Sequence, residues 1–179
     1  MKYKGTQTEK NLMNALSGEA RTNVKYKWYA ERARKDGFEQ IAAIFEETAH
    51  NEQEHAEIWF KELLGKDIPS TKDNLIESAN AEDYEWANMY KSFAKTAKEE
   101  GFDELAKQFE RVGEIEAHHE KRFLKLLLNI KNNKVFKKDE EKIWICRNCG
   151  HENTGLIADK FCPVCHHPQS FREIKAENY

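Results

Sequence analysis

Residues 26–64 recur along the same chain at an offset of 64. Tyr26 returns as Tyr90, Ala33 as Ala97, Gly37-Phe38 as Gly101-Phe102, and Ala42 as Ala106. Phe45-Glu46 returns as Phe109-Glu110, and Leu63-Leu64 as Leu127-Leu128. A repeat of this length holds one supersecondary unit. Its apolar residues, for instance Ile41, Ile44 and Phe45, fall at helical spacing. Pro69 is the only proline across residues 6–131. Two αα-hairpins are therefore expected, and two such hairpins can pack as a four-helix bundle with a pseudo-twofold axis.

The punctuation places the helices. Thr6-x-x-Glu9 has the form of a capping box and opens a first helix running to about Lys35. Gly37 suits the left-handed position after its end. A second helix spans about Glu39 to Leu64 and stops near Gly65. The stretch from Gly65 to Thr71 reads as a linker, and a third helix starts near Ser70–Thr71 and ends before Gly101. A fourth runs from about Asp103 to Lys131. A connection of about a dozen residues would carry the chain along the bundle from one hairpin to the other. Residues 132–142 are polar and read as a second linker. The expected domains are 1–135, a helical bundle, and 136–179, a small metal-knuckle domain.

The small domain contains every cysteine of the chain: Cys146, Cys149, Cys162 and Cys165, in two C-x2-C pairs. Four sulfurs on two tight knuckles can converge on one tetrahedral ion. A stretch this short buries too little apolar surface to fold unaided, so the metal must supply much of its stability. The N-terminus lacks the apolar stretch of a secretory signal, and no run is long enough to span a bilayer. A cytoplasmic protein with reduced thiols is expected. The net charge of −3 argues against a nucleic-acid partner, which favours a basic face.

Glu-x-x-His places a carboxylate and an imidazole one turn apart on a helix. It occurs at Glu47/His50, Glu52/His55 and Glu116/His119. The repeat sorts them. Glu52 and His55 map onto Glu116 and His119, whereas Glu47 and His50 map onto Arg111 and Glu114 and read as a solvated pair. Two Glu-x-x-His helices hold a pair of metal ions when two further helices each add a glutamate. Glu19, seven residues before Tyr26, and Glu82, eight residues before Tyr90, fill that role. The extra residue in the third helix calls for a π-bulge between Glu82 and Tyr90. Glu85, one turn beyond Glu82, is a possible seventh ligand. His118 reads as a surface or supporting residue, and His151, His166 and His167 as flanks of the thiolate site.

These residues resemble the rubrerythrin family over essentially the whole chain. The resemblance is carried by Gly18-Glu19, Tyr26, Lys35-Asp36-Gly37-Phe38, Glu52-x-x-His55-Ala56, Glu82-x-x-Glu85, Met89-Tyr90 and Glu100-Gly101-Phe102. Glu116-x-x-His119-Glu120-Lys121-Arg122-Phe123, Trp144-x-Cys146-Arg147-Asn148-Cys149-Gly150 and Cys162-Pro163-x-Cys165 continue it. It implies a mainly α fold, a ferritin-like four-helix bundle followed by a rubredoxin-like domain. It also implies two non-haem irons in the bundle, one iron on the four cysteines, and a homodimer. The implied activity is reduction of hydrogen peroxide to water in oxidative-stress protection, with electrons from NADH through a separate reductase or a rubredoxin. Glu52 and Glu116 would bridge the irons, and Glu19, Glu82 and His119 would be terminal ligands. His55 and Glu85 would exchange on one iron with redox state, and Tyr26 and Tyr90 would orient carboxylates or donate to peroxide. Iron storage on a similar bundle, or a zinc-ribbon adaptor without enzymatic activity, are the other function classes the residues admit.

Overall fold

The computed structural model describes residues 2–178. They form two compact units that divide between Pro69 and Ser70.

The first unit is a helical hairpin of α1 (Gln7–Lys35) and α2 (Glu39–Leu64). Thr6 caps α1, its hydroxyl accepting from the Glu9 N–H at 3.1 Å, while the Glu9 carboxylate accepts from the Gly5 N–H at 2.7 Å. The capping box is thus closed one residue upstream of its usual donor. At the turn, Gly37 takes a φ of 84°. That lets the Phe38 N–H reach Ala33 O at 2.9 Å and the Gly37 N–H reach Arg34 O at 3.0 Å, so the last carbonyls of α1 are satisfied.

The second unit begins with α3 (Thr71–Tyr84), capped by Ser70, whose hydroxyl accepts from the Asp73 N–H at 3.2 Å. A single π-turn, Glu85–Met89, joins α3 to α4 (Tyr90–Glu99), and α5 (Asp103–Lys131) returns along them. The π-turn absorbs the extra residue between Glu82 and Tyr90, as the offset repeat requires. The α4–α5 turn repeats the α1–α2 turn, with Phe102 N–H on Ala97 O at 2.7 Å. The aromatic clusters repeat as well. Tyr26, Tyr29 and Phe45 have ring centroids 5.6–6.2 Å apart, and Tyr90, Phe93 and Phe109 have the same span.

The interior of both hairpins is made of small side chains. Ala30, Ala33, Ala42 and Ala49 are buried in the first, and Ala79, Ala94, Ala97, Ala106 and Gly113 in the second. Small residues let the helices approach closely, and Asn23 pins α1 to α2 by donating to Ala49 O at 2.5 Å. Leu127 is a large apolar side chain buried with them, but many others lie outside this interior. Ile44 is 55% and Ile115 50% exposed, and Met13, Trp28, Ile41, Ile58 and Leu126 are exposed too.

After α5 the chain forms a three-stranded antiparallel sheet, ordered β2-β1-β3, from β1 (Lys137–Cys146), β2 (Glu152–Ile157) and β3 (Arg172–Ile174). Trp144 is fully buried there and donates from its indole to Gly155 O at 2.9 Å. Residues 137–142, expected as linker, belong to β1. Their charged side chains point to solvent while the backbone pairs Lys137 with Ile157 and Lys142 with Gly155 across an irregular register. The connection between the hairpins falls where the sequence places it, and is shorter than the dozen residues that would carry the chain along a bundle. α2 ends at Leu64 and α3 begins at Thr71, leaving six residues, 65–70. Among the described residues, no helix is long and apolar enough to cross a membrane.

Candidate metal centres

Each hairpin gathers one Glu–Glu–His set. In the first, α1 supplies Glu19 and α2 supplies Glu52 and His55, with ligand atoms within 4.8 Å of one another. His55 Nδ1 lies 3.2 Å from Glu52 and 3.9 Å from Glu19. In the second, α3 supplies Glu82 and α5 supplies Glu116 and His119, again within 4.8 Å. His119 Nδ1 lies 2.7 Å from Glu116 and 3.7 Å from Glu82. The offset of 64 in the sequence is thus an equivalence of place in the two hairpins.

The electrostatics of the sets call for a cation. Glu19 is raised above its ordinary value, first by sharing a hydrogen bond with Glu52 and then by burial and the negative charge beside it. Glu52 is lowered by that same hydrogen bond and by the imidazole of His55, so the two carboxylates are driven apart in opposite directions. Glu82 is raised by burial and by the facing Glu116 carboxylate. The Glu116 side chain is only 15% exposed, unlike a solvated surface glutamate. Half-buried carboxylates this close are costly unless paired or metal-bound. Two carboxylates and one imidazole per set are a donor mixture that suits iron.

The remaining candidates fall around these sets. Glu85 is half-buried at the start of the π-turn, outside the 4.8 Å grouping. Its charge acts on Glu82 and on Tyr90. The Tyr90 hydroxyl is raised by burial and then by the negative field of Glu85, Glu116 and Glu82, which keeps it protonated and able to donate. Tyr26 packs against Phe45 and Tyr29. Glu47 and His50 are exposed and join no cluster, and His118 is exposed.

The four cysteine sulfurs form a third group within 4.8 Å, with Cys146 and Cys165 Sγ 3.7 Å apart and Cys149 and Cys162 Sγ 3.5 Å apart. The knuckles are built alike. The Gly150 N–H returns to Cys146 O and the His166 N–H to Cys162 O, each at 2.9 Å. The residue after each second cysteine is left-handed, Gly150 at φ 76° and His166 at φ 59°. Backbone N–H groups aimed at the sulfurs favour the thiolate. Burial pushes Cys162 up, but the N–H groups of Cys165 and Val164 outweigh it and hold it at about 6. Cys165 is lowered first by the His167 N–H. Cys149 receives the His151 N–H, which lowers it, yet the neighbouring sulfurs and burial push it up to about 12. Four sulfurs this close, with Cys162 and Cys165 favoured as thiolates, fit a divalent or trivalent ion.

Sequence reasoning missed Arg172. Its side chain is 1% exposed and donates to His151 O at 2.8 Å and to Asp159 at 3.0 Å. It ties β3 to the first knuckle, because His151 O also accepts from the Cys146 N–H at 3.0 Å. An arginine in a short polar segment carries no signal of burial. His167 stacks edge-on with Phe171, centroids 4.4 Å apart, and so packs rather than ligates.

Comparison with known proteins bears on both ligand classes. A family model described as Rubrerythrin matches residues 10–127, and one described as "Rubrerythrin, rubredoxin-like domain" matches residues 144–172. The chain is 46% identical to Rubrerythrin-1 of Clostridium acetobutylicum, with 98% of each chain covered. It is 43% identical to the rubrerythrin of Porphyromonas gingivalis, covering 98% of this chain and 94% of the relative. It is 42% identical to that of Nitratidesulfovibrio vulgaris, with 98% of each covered. Both halves of the chain fall under one family description, and the chain belongs to the rubrerythrin family: an iron-based redox protein with a di-iron site on its helices and a rubredoxin-like iron site on its cysteines.

Proposed function

We propose that the chain reduces hydrogen peroxide to two waters, consuming two electrons and two protons. The observation that supports this most is the pairing of carboxylate–imidazole sets with a four-thiolate cluster on one chain. Storage of iron needs no thiolate relay, and an adaptor needs no half-buried carboxylates.

Glu19, Glu52, His55, Glu82, Glu116 and His119 would hold two irons, with Glu52 and Glu116 shared between them and Glu85 in reserve. Bound there, iron supplies the two electrons that cleavage of the O–O bond takes. The protein residues govern protons and access. Tyr90 keeps its proton against the surrounding carboxylates, so its hydroxyl can donate a hydrogen bond to a peroxide oxygen. Glu19 is raised by its hydrogen bond with Glu52, by burial and by the negative charge beside it, a crowding that a bound cation would relieve. His55 and Glu85 are the interchangeable pair, a neutral donor for the less charged metal and an anionic one for the more charged.

Cys146, Cys149, Cys162 and Cys165 would hold the third iron as a one-electron relay, because four thiolates need little rearrangement between its charge states. Electrons would come from NADH through a separate reductase or a rubredoxin. A homodimer in the reducing cytoplasm completes the reading. The test is Cys146→Ser. It should abolish steady-state turnover with the reductase, while the chemically reduced variant still consumes one equivalent of peroxide in stopped flow. Loss of that single turnover would refute the division of labour.

A further inference from the structure

We propose that each di-iron centre is shared between two copies of the chain. The α1–α2 hairpin of one copy supplies Glu19, Glu52 and His55, and the α3–α5 hairpin of the second copy supplies Glu82, Glu116 and His119. This rests on the metal reading above and adds which chains make the site.

The reason is the reach of residues 65–70. A ferritin-like bundle has one long crossover connection. Here the other two helix connections are tight turns at Gly37 and Gly101, so the crossover must fall between α2 and α3. A crossover there makes α2 and α3 run parallel. From the level of Glu52 and His55 to the end of α2 at Leu64 is about 16 Å at 1.5 Å per residue, and from Thr71 to Glu82 is about the same. With the ligands level, the end of α2 and the start of α3 lie about 30 Å apart at opposite ends of the bundle. Seven Cα steps from Leu64 to Thr71 reach about 23–25 Å even when fully extended.

The connection is not extended. Gly65 is left-handed, with φ 67°, and its N–H returns to Lys61 O at 2.9 Å. Asp67 is tied back to the Lys61 ammonium at 2.9 Å. Four free steps, from Asp67 to Thr71, then remain, worth about 14 Å. The first hairpin therefore cannot complete a crossover bundle with its own chain's second hairpin.

Both hairpins carry the surface such an exchange would cover. On α2 the exposed stripe is Ile41, Ile44, His55 and Ile58, with a ligand in its middle. On α5 the matching stripe holds Leu105, Ile115 and Leu126, with His119 among them. Beside it, Trp86, Tyr90, Phe109, Gly113 and Ala117 line an apolar groove of ≈ 350 Å³. The repeat relates Ile41 to Leu105 and His55 to His119, so each stripe lies on the face that carries its hairpin's histidine, and two copies can exchange hairpins and cover both faces twice, in a closed twofold dimer.

The experiment is complementation between two full-length variants. One carries Glu52→Ala with His55→Ala, the other Glu116→Ala with His119→Ala. They are co-expressed with different affinity tags, and mixed dimers are purified on both. Sharing places both lesions in one centre and leaves the other intact. Mixed dimers should then hold half the wild-type helical iron, beyond one thiolate iron per chain, and homodimers of either variant should hold none. Mixed dimers with no more helical iron than the homodimers overturn the proposal, as does a wild-type monomer by light scattering with its full iron. Inserting twelve Gly/Ser residues between Lys66 and Asp67 should let each chain close on itself and remove the rescue. Undiminished rescue would overturn the linker argument. The iron content of the wild-type chain tests the metal reading separately.

Discussion

Arg172 gives a test of how the thiolate site is held. Its guanidinium is buried, with one charge-assisted bond to His151 O at 2.8 Å and an ion pair to Asp159 at 3.0 Å. Removing a hydrogen bond to a charged group costs about 1.5–3 kcal/mol. The Asp159 side chain is 40% exposed, so its pair adds at most about 1 kcal/mol after screening. The Nε is buried without a partner among the described residues, so wild type already carries one unsatisfied donor, which offsets part of this gain. The net loss for Arg172→Ala is then about 2 kcal/mol. Because His151 O also holds the Cys146 N–H, that loss falls on the first knuckle. Release of the thiolate iron to excess chelator, followed by its visible absorbance, should speed up about thirtyfold, at 1.4 kcal/mol per tenfold. Arg172→Met should lose less, since an apolar side chain of similar length avoids the cost of burying a charge. Release from Arg172→Ala within about threefold of wild type would refute the argument. So would Arg172→Met being the worse variant.

Four further outcomes are expected. Glu116→Ala should lower iron by up to two per chain and leave the thiolate spectrum unchanged, whereas Glu47→Ala should change neither; metal analysis decides it. Glu85→Ala should still load iron but raise the reduction potential of the helical pair and slow turnover, while His55→Ala weakens iron binding in the reduced protein. Spectroelectrochemical titration checks both. His166→Gly should stabilise the second knuckle by about 0.5–1 kcal/mol, because His166 is held at φ 59°, where a Cβ is disfavoured; chelator resistance reads the gain. Glu46 is held below its ordinary 4.5 by its hydrogen bonds to Arg34. That contribution is complete above the unfolded value and is lost as pH falls through the lowered one, so Glu46→Gln should flatten the acid limb of the unfolding curve slightly. The difference should shrink in high salt, since both partners are exposed.

The helices were legible because their ends are chemically marked. Thr6 and Ser70 cap, and Gly37, Gly65 and Gly101 take positive φ, so the boundaries follow from single residues. The extra residue between Glu82 and Tyr90 could be read as a π-turn because the repeat supplied an internal reference. Residues 137–142 were not legible as strand. Their pairing is a property of the backbone, and a run of lysine and glutamate looks the same in a linker. The six-residue connection was marked by Gly65, Pro69 and Ser70, but its consequence needed the rise of two helices on either side. Arg172 and Asn23 stayed hidden, since polar side chains that enter an interior to bond carbonyl oxygens leave no periodicity behind.

The π-turn at Glu85–Met89 has a bearing on the two irons themselves. A centre assembled from duplicated hairpins begins with two interchangeable positions, each seeing the same glutamate, glutamate and histidine. One inserted residue ends that degeneracy, because it brings Glu85 round on one side only and has no counterpart in α1. The pair then has a distinguishable left and right. Its two electrons should leave and return at separate potentials, in a fixed order, and the direction of that order is written into the chain by a single added amino acid.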